Sequence, residues 1–489
     1  MSGLHLSLLG GGLVVVLDLV LRVLALIYVP PNRRPTAAMA WLLAIFFIPV
    51  LGGALFLLIG SPRLPRSRLT KQAEMDEAIA DHAAESPAPA GSAGPEWWPG
   101  VVRMNQELTA MPLLGGNRGA LIGDYAESLD AMAEEIAGAR AYVHVEFYIL
   151  SLDQSTGAFF DALEAAVARG VTVRVLLDHW SSSHCRDYQA TIARLEAMGA
   201  HWHLMLPVQP LKGRYQRLDL RNHRKLLVVD GRVAFMGSQN LIDRSYNKKK
   251  NLARGLKWQD LMTRVEGPVV ESIDLVFATD WYMESGERLD RAGPPPPRSG
   301  VTAEDDLLEC QVVPSGPGYP VENNLQLFLS LLYAARERVA ITSPYFVPDE
   351  SMLRGIMAAI TRGVTVELFV SEIGDQALVW HAQRSYYAPL LDAGMRIYQY
   401  PAPYILHAKH FSIDDEVAVI GSSNMDMRSF GLNCEVSLMV RSPLYVAQMR
   451  AVEAEYRRIS TELTAQEWAQ EPLRRTAVDG LARLTSALQ

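Results

Sequence analysis

The chain has 489 residues, room for more than one domain. It is 49% hydrophobic and 20% charged, which allows a large core, and its formal net charge of −8 argues against a nucleic-acid binder with its basic footprint. Three widely spaced cysteines, Cys185, Cys310 and Cys434, form neither a disulfide framework nor a C-x-x-C metal pattern, and fit a reducing compartment.

The N-terminal end reads as a membrane hairpin within residues 1–70. Residues 37–60 contain no charged side chain, and a helix of about 20 apolar residues spans a bilayer core. Pro49 would kink it, which membrane helices tolerate. Residues 4–29 are a second candidate span. They are apolar from Leu6 to Leu17, and then Asp18 and Arg22 follow at i and i+4, placed to pair on one helix face. A signal peptide is disfavoured, since no basic n-region precedes the apolar run and no small-residue cleavage site follows it. Arg33 and Arg34 lie between the spans, whereas Arg63, Arg66, Arg68 and Lys71 follow the second. That bias puts the N-terminus and everything after residue 60 in the cytoplasm.

Residues 71–100 turn Ala-, Glu-, Ser-, Pro- and Gly-rich and read as a flexible linker. Trp97-Trp98 at its end is either an interfacial anchor or a contact with the domain that follows.

The remainder reads as a duplication. Tyr142 to Ile149 is a β-rich run, and Val339 to Phe346 is its counterpart. Each is followed by a helical pattern ending in Arg-Gly, at Gly170 and Gly363. A strand opening Val-Thr-Val comes next in each, at 171–178 and 364–371, and then another helix, ending at Gly199 and Gly394. This alternation predicts an α/β fold with a mostly parallel sheet covered by helices. The repeats run over 101–292 and 301–489, with the Pro-rich stretch 293–300 as their joint. The tail after Val440 is helical and amphipathic in pattern and reads as scaffold.

Each repeat then carries the same constellation. Arg221-Asn222-His223-Arg224-Lys225 leads to Asp230 and closes with Gly237-Ser238-Gln239-Asn240. His407-Ala408-Lys409 leads to Asp414 and closes with Gly421-Ser422-Ser423-Asn424. One H-x-K is a chance event; two copies agreeing in five positions are not. His and Lys alternate along an expected strand and so share a face. Asp230-Gly231 is a hairpin turn signal, and the return strand brings Asn240 back beside His223. Five strand residues put Asp230 roughly 16 Å from Lys225. Asp230 and Asp414 are therefore expected at the turn, as a cap or a structural ion pair, away from the substrate.

Two facing half-sites would supply two His, two Lys and two Asn around one point. That suits a phosphodiester: cations and amides neutralise non-bridging oxygens, where charge builds in the transition state. One His attacks phosphorus; the other protonates the leaving alcohol and deprotonates the incoming one. Ser238, Asn240, Ser422 and Asn424 are the candidate phosphate-binding groups. Asp260 and Glu435, on the strands after each motif, are candidates to orient a catalytic His through its second ring nitrogen. Neither a metal nor another cofactor is implied: the histidines are paired with lysines, which repel cations, and no ligand cluster appears.

Two copies of H-x-K-x4-D, each with a following G-S-x-N, resemble the phospholipase D superfamily. Residues 35–52, the Arg221 to Lys225 run, Ser343 to Glu350 and Gly421 to Phe430 are similar to bacterial cardiolipin synthases, over nearly the whole chain except the linker. The resemblance implies two phospholipase D-like repeats forming one pseudo-two-fold catalytic unit. It implies metal-independent transfer of a phosphatidyl group between two phosphatidylglycerols, giving cardiolipin and glycerol at the cell membrane. It also implies the triads His223/Lys225/Asp230 and His407/Lys409/Asp414, with the superfamily analogy leaning to His223 as nucleophile. Two departures stand out: Ser238, where the family more often has Gly, and the long basic insert Asp243 to Lys257, which bears on acceptor preference. Lys248, Lys249, Lys250, Arg254 and Lys257, with Arg214, Arg217 and Arg221, are candidates to steer anionic headgroups or bind the leaflet. The same residues also serve a hydrolase or a transphosphatidylase with another acceptor. A nuclease fits the membrane spans and acidic balance poorly, and a dead scaffold fits two intact motifs poorly.

Overall fold

The computed structural model describes residues 2–31, 35–60, 64–85, 94–209, 214–289, 307–319 and 321–486. By internal contacts the chain divides into two units: 1–63 with 217–219, and 64–216 with 220–489.

In the first unit, residues Ser2–Tyr28 form one helix, and Asp18 and Arg22 pair on it at 2.8 Å, as their spacing predicts. The charge-free stretch forms two helices, Pro35–Phe47 and Pro49–Ile59. The break falls where Pro49 lacks an N–H and its ring would clash with the preceding turn. Ala25, Val29, Ala38 and Ile45 are packed together, while Phe47, Val50 and Leu57 are exposed. Among the described residues, no helix is long and apolar enough to cross a membrane. The span expected at 37–60 with a kink at Pro49 forms as two helices that meet at that proline. Arg33, Arg34 and Arg63, on which the topology argument leaned, lie outside the described residues.

The expected flexible linker is corrected over its first half. Residues Arg66–Glu85 form a helix, because this stretch is built of Ala, Glu, Arg, Lys and Gln, all strong helix formers. Residues 86–93 lie outside the described residues. Trp98 is buried in the helix Trp98–Thr109, which packs against the second repeat's core, so the Trp pair is not an exposed anchor.

The second unit is organised by one fifteen-stranded sheet. Its strands are β1 (Leu114–Ile122), β2 (Tyr142–Phe147), β3 (Thr172–Asp178), β4 (His201–Met205), β5 (Lys225–Val229), β6 (Val233–Gly237) and β7 (Met262–Glu266). The chain continues with β8 (Leu308–Ser315), β9 (Arg338–Thr342), β10 (Thr365–Ser371), β11 (Arg396–Tyr400), β12 (His410–Ile413), β13 (Val417–Gly421), β14 (Glu435–Arg441) and β15 (Thr461–Leu463). The spatial order is β15-β11-β10-β9-β12-β13-β14-β8-β1-β7-β6-β5-β2-β3-β4. Apart from the edge strand β15, the order reads the same from either end, with β8 and β1 meeting in the middle. That is the duplication expected from the sequence.

The mostly parallel sheet is not what forms. Only β2/β3/β4 and β9/β10/β11 pair in parallel; the other neighbours are antiparallel. Parallel pairs need crossovers of a dozen or more residues, and only within those two triplets do such helical connections join strands that are neighbours in the sheet. The motif strands are joined by tight turns and can only pair antiparallel. The joint expected at 293–300 lies outside the described residues.

Alternation along the strands sorts side chains to two faces. Val145, Phe147, Leu227 and Val229 face helices Tyr125–Ala137 and Gly157–Ala168 in the first repeat. Val339, Ile341, Phe411 and Ile413 face Asn323–Ala334 and Glu350–Thr361 in the second. The opposite face is shared. Leu226, Val228, Ala418 and Ile420 meet one core with helices Val269–Ser285 and Pro443–Ile459. This continuous core fixes the two motif hairpins relative to each other.

Candidate functional site

Each motif is a β-hairpin whose strand begins later than expected. β5 starts at Lys225, and β12 starts after Lys409. The histidines sit just before, in extended segments that pair with the other repeat. His223 N donates to Cys434 O at 2.9 Å, and His407 N donates to Gln259 O at 2.7 Å. Tyr404–Leu406 and Lys257–Gln259 form a short parallel pair, and Asn222 and Cys434 a single parallel bridge. Each histidine is thus delivered beside the acid-bearing strand of the opposite repeat.

The candidate acids cross over accordingly. His407 Nδ1 lies 2.6 Å from Asp260 Oδ1, and His223 Nδ1 lies 3.0 Å from Glu435 Oε2. A carboxylate on Nδ1 fixes that nitrogen as the N–H and leaves Nε2 free. Lys225 Nζ donates to His223 O, and Lys409 Nζ donates to His407 O at 2.7 Å. All six side chains are buried.

The serines are not where phosphate binding would put them. Ser238 Oγ donates to Asp260 at 2.7 Å, and Ser422 Oγ donates to Glu435 at 2.5 Å. Both are fully buried and committed to the acids. The preceding glycines make this possible. A Cβ on Gly237 would lie 2.4 Å from Leu261 O, and one on Gly421 would lie 2.2 Å from Val436 O. Only Gly permits the backbone approach that carries each hydroxyl to its carboxylate.

The asparagines differ. Asn240 donates to Tyr246 Oη at 2.8 Å and accepts from Ile149 N at 3.2 Å. The Asn424 amide oxygen is buried without a partner, so an acceptor is left open there.

Asp230 and Asp414 stand apart from the histidines, at the hairpin turns. Asp230 accepts from the amides of Arg140, Ala141 and Tyr142 at 2.8, 2.8 and 2.9 Å. Asp414 accepts from Arg336, Glu337 and Arg338 at 3.0, 2.8 and 2.9 Å. Among the described residues, neither caps its own turn or forms the expected ion pair; each clamps the start of the neighbouring strand, β2 or β9. The triad pattern therefore groups residues that are separated in space.

The two halves are electrostatically unequal. Burial, with the charges of Lys225 and Lys409 nearby, holds His223 well below the usual imidazole range. Burial also pushes the Glu435 carboxyl up to about 7, against the pull of Lys225 and Ser422. At Asp260 burial pushes upward too, but His407 and Lys409 outweigh it and hold the carboxyl below its usual value. His407 is lowered by burial and Lys409, with ionised Asp260 opposing the shift. Burial lowers Lys409 to about 8 and puts Lys225 well below the usual lysine range.

The surroundings account for the inequality. In the first repeat, Asn222 N donates to Asp178 at 3.0 Å and Asn222 Nδ2 to Glu146 at 2.8 Å, while Arg224 pairs with Asp280. In the second repeat, Ile405, Leu406 and Ala408 stand in the matching places, and Leu406 N donates to Ser371 Oγ at 2.8 Å. Arg221 is buried against Asp178 and Leu206 O, and Arg217 pairs with Asp219, so neither is free to steer headgroups as expected. The Arg214 side chain lies outside the described residues. Lys248, Lys249, Lys250, Arg254 and Lys257 are exposed.

Two aromatic residues escaped the sequence argument. Tyr148 packs edge-on to His223 with centroids 4.8 Å apart, and Lys225 Nζ lies 5.2 Å from its ring centre. Tyr246, from the basic insert, lies edge-on to His407 at 6.4 Å. Tyr148 directly follows a strand of repeat 1, which was a usable signal; nothing local marks Tyr246. Among the described residues, no group of three or more His, Cys, Asp or Glu is arranged to hold a metal ion.

Two buried imidazoles with free Nε2 atoms, two lysines and an unpartnered amide, with orienting acids exchanged between repeats, define a phosphodiester-transfer site of the phospholipase D type. The family model described as cardiolipin synthase, phospholipase D-like domain, matches residues 132–273 and 328–458, and the phospholipase D-nuclease N-terminal family matches residues 20–61. Cardiolipin synthase A of Proteus mirabilis is 31% identical over 487 residues, covering 94% of each chain. Cardiolipin synthase A of Pectobacterium carotovorum is 32% identical over 466 residues, again covering 94% of each. In fold, the chain is similar to the crystal structure of phosphatidylserine synthase from Haemophilus influenzae, with a TM-score of 0.60 at 15% identity over 79% of this chain and 99% of that one. The chain belongs to the cardiolipin synthase family of phospholipase D-like phosphatidyltransferases.

Proposed function

We propose that the chain transfers a phosphatidyl group from one phosphatidylglycerol to another through a phosphohistidine on His223, releasing glycerol and forming cardiolipin. The observation that carries this reading is the crossed pairing of His407 with Asp260 and His223 with Glu435, which leaves both Nε2 atoms free within one buried site.

His223, held neutral by burial, is the nucleophile: its Nε2 lone pair attacks phosphorus as the bond to the glycerol oxygen breaks. His407, beside ionised Asp260, is the half better able to carry a proton, and donates it to that oxygen. Neutral His407 then takes the proton from a hydroxyl of the second phosphatidylglycerol. That oxygen attacks phosphorus, the P–N bond breaks and His223 is regenerated. One phosphodiester is exchanged for another, so no energy donor is required. Lys225, Lys409 and the Asn424 Nδ2 group, as donors, stabilise the equatorial oxygens. Asp260 and Glu435 set the tautomers, and Ser238 and Ser422 hold the acids. Asp230 and Asp414 act on the fold.

We further propose that residues 1–70 anchor the protein in the cell membrane as a two-span hairpin, with the catalytic repeats in the cytoplasm. The charge-free stretch 37–60 and the outward-facing Phe47, Val50 and Leu57 support this. Anchoring raises the effective concentration of lipid substrates at the site.

The test supplies the purified protein with phosphatidylglycerol alone. Cardiolipin and free glycerol in equal amounts are expected. Phosphatidic acid as the main product would indicate a hydrolase, and a strict demand for CDP-diacylglycerol would overturn the mechanism.

A further inference from the structure

The C-terminal helix Leu473–Arg483 is packed inside out. Its buried face carries Asp479 and Ala482, and Asp479 pairs with His381 at 2.6 Å and with Arg384 at 3.2 Å. Its outward face is apolar: Leu473 is 87% exposed, Leu481 66% and Leu484 80%. Leu473, Ala477, Leu481 and Leu484 follow at spacings of four, four and three, which stacks them along one stripe. A helix that turns its carboxylate inward and its leucines outward is not explained by its own core.

This stripe belongs to a larger surface beside the site. The segment 374–384 joins it to the basic insert: Asp479 holds His381 and Arg384 at one end, and Arg254 donates to Gly374 O at 3.2 Å at the other. The same segment reaches the site, since Tyr345 Oη donates to Asp375 at 3.0 Å and the Asp375 charge acts on Tyr246 and Lys409. The insert presents exposed Lys248, Lys249 and Lys250, with Leu252 exposed among them. These lysines have no ion pair among the described residues, and Arg474 stands exposed beside the leucines.

Apolar side chains interleaved with unpaired cations match an anionic lipid surface, which takes leucines below its headgroups and cations among them. We propose that helix Leu473–Arg483 and the insert Lys248–Lys257 form an interfacial surface that seats the catalytic repeats on an anionic bilayer, distinct from the N-terminal hairpin. The choice of a bilayer as partner rests on the lipid reading of the site.

The test uses the full chain in nanodiscs of phosphatidylglycerol and phosphatidylcholine, with an environment-sensitive fluorescent amino acid replacing Leu481. Blue-shifted emission, quenched by lipids brominated in their acyl chains, is expected; emission like that in water overturns the proposal. Protection that appears only as protein concentration rises assigns the face to a second copy and also overturns it. In mixed micelles, Leu473→Gln/Leu481→Gln/Leu484→Gln and Lys248→Glu/Lys249→Glu/Lys250→Glu should each raise the phosphatidylglycerol mole fraction at half-maximal rate by about fivefold or more. For the leucine variant, turnover of a short-chain, monomerically dissolved phosphatidylglycerol should stay unchanged. An unaltered dependence on mole fraction overturns the surface. A wild-type protein that makes no cardiolipin overturns the function instead, and the fluorescence still reports on the surface.

Discussion

His407 Nδ1 lies 2.6 Å from Asp260 Oδ1, although 147 residues separate them and each belongs to a different repeat. The reciprocal pair, His223 with Glu435, spans 212 residues. Each half-site is thus completed by the other, and neither repeat can set both of its own histidine's ring nitrogens.

The crossing makes the roles separable. Asp260→Asn should behave like a loss of His407, not of His223, despite lying in the first repeat. With phosphatidylglycerol, Asp260→Asn and His407→Ala should each lower turnover by about 10²–10⁴. With a phosphatidyl ester of p-nitrophenol, whose leaving group needs no proton, both should recover much of the loss in the first-turnover burst of nitrophenolate, while breakdown of the phosphohistidine still needs His407 as base. His223→Ala and Glu435→Gln should fail on both substrates. Recovery by the His223 variant instead would reverse the assignment.

Ser238 and Ser422 hold carboxylates. Ser238→Ala should therefore lower kcat about tenfold while leaving KM for phosphatidylglycerol within about twofold. A phosphate-binding hydroxyl would show the opposite pattern, with KM carrying the loss. Steady-state kinetics in mixed micelles distinguishes the two.

Asp230 is a clamp. Its carboxylate accepts from three backbone amides, and its backbone sits at φ +54°, a conformation that Asn adopts more readily than Ala. Asp230→Ala should cost about 3 kcal/mol of stability and Asp230→Asn less, read by thermal melting. Activity should fall with the folded fraction. Wild-type melting with no turnover would return Asp230 to the chemistry.

Glu435 carries a pH signature. In the fold its carboxyl is raised to about 7 from an ordinary 4.5, so the native state binds that proton more tightly than the unfolded chain. Its contribution is complete below the unfolded value and is lost as pH rises to about 7. Glu435→Gln removes this slope. The variant's Tm relative to wild type should rise between about pH 5 and about pH 8. A constant difference would mean that Glu435 is ionised throughout.

Much of the candidate site was legible because its signals are local. H-x-K spacing is a property of a few consecutive residues, and so is the turn at Asp230-Gly231, where both residues take positive φ. The position of Asp230 away from the chemistry also followed from strand rise alone. Sheet polarity did not, because Val-Thr-Val strands read alike whether their next neighbour arrives by a crossover or a tight turn. The helix Arg66–Glu85 was hidden by the Pro- and Gly-rich residues just after it.

By itself the sequence determined the duplication, the His-Lys pairs and the chemistry they suit, since these rest on residue identity at short range. Tertiary structure decided which acid serves which histidine, that the serines hold those acids, and that one half lies among ions and the other among apolar side chains. Those relations are set by strand order across a fifteen-stranded sheet. Hydrogen-bonding capacity is written in each residue, but its partner is chosen by which distant segments the common core brings side by side.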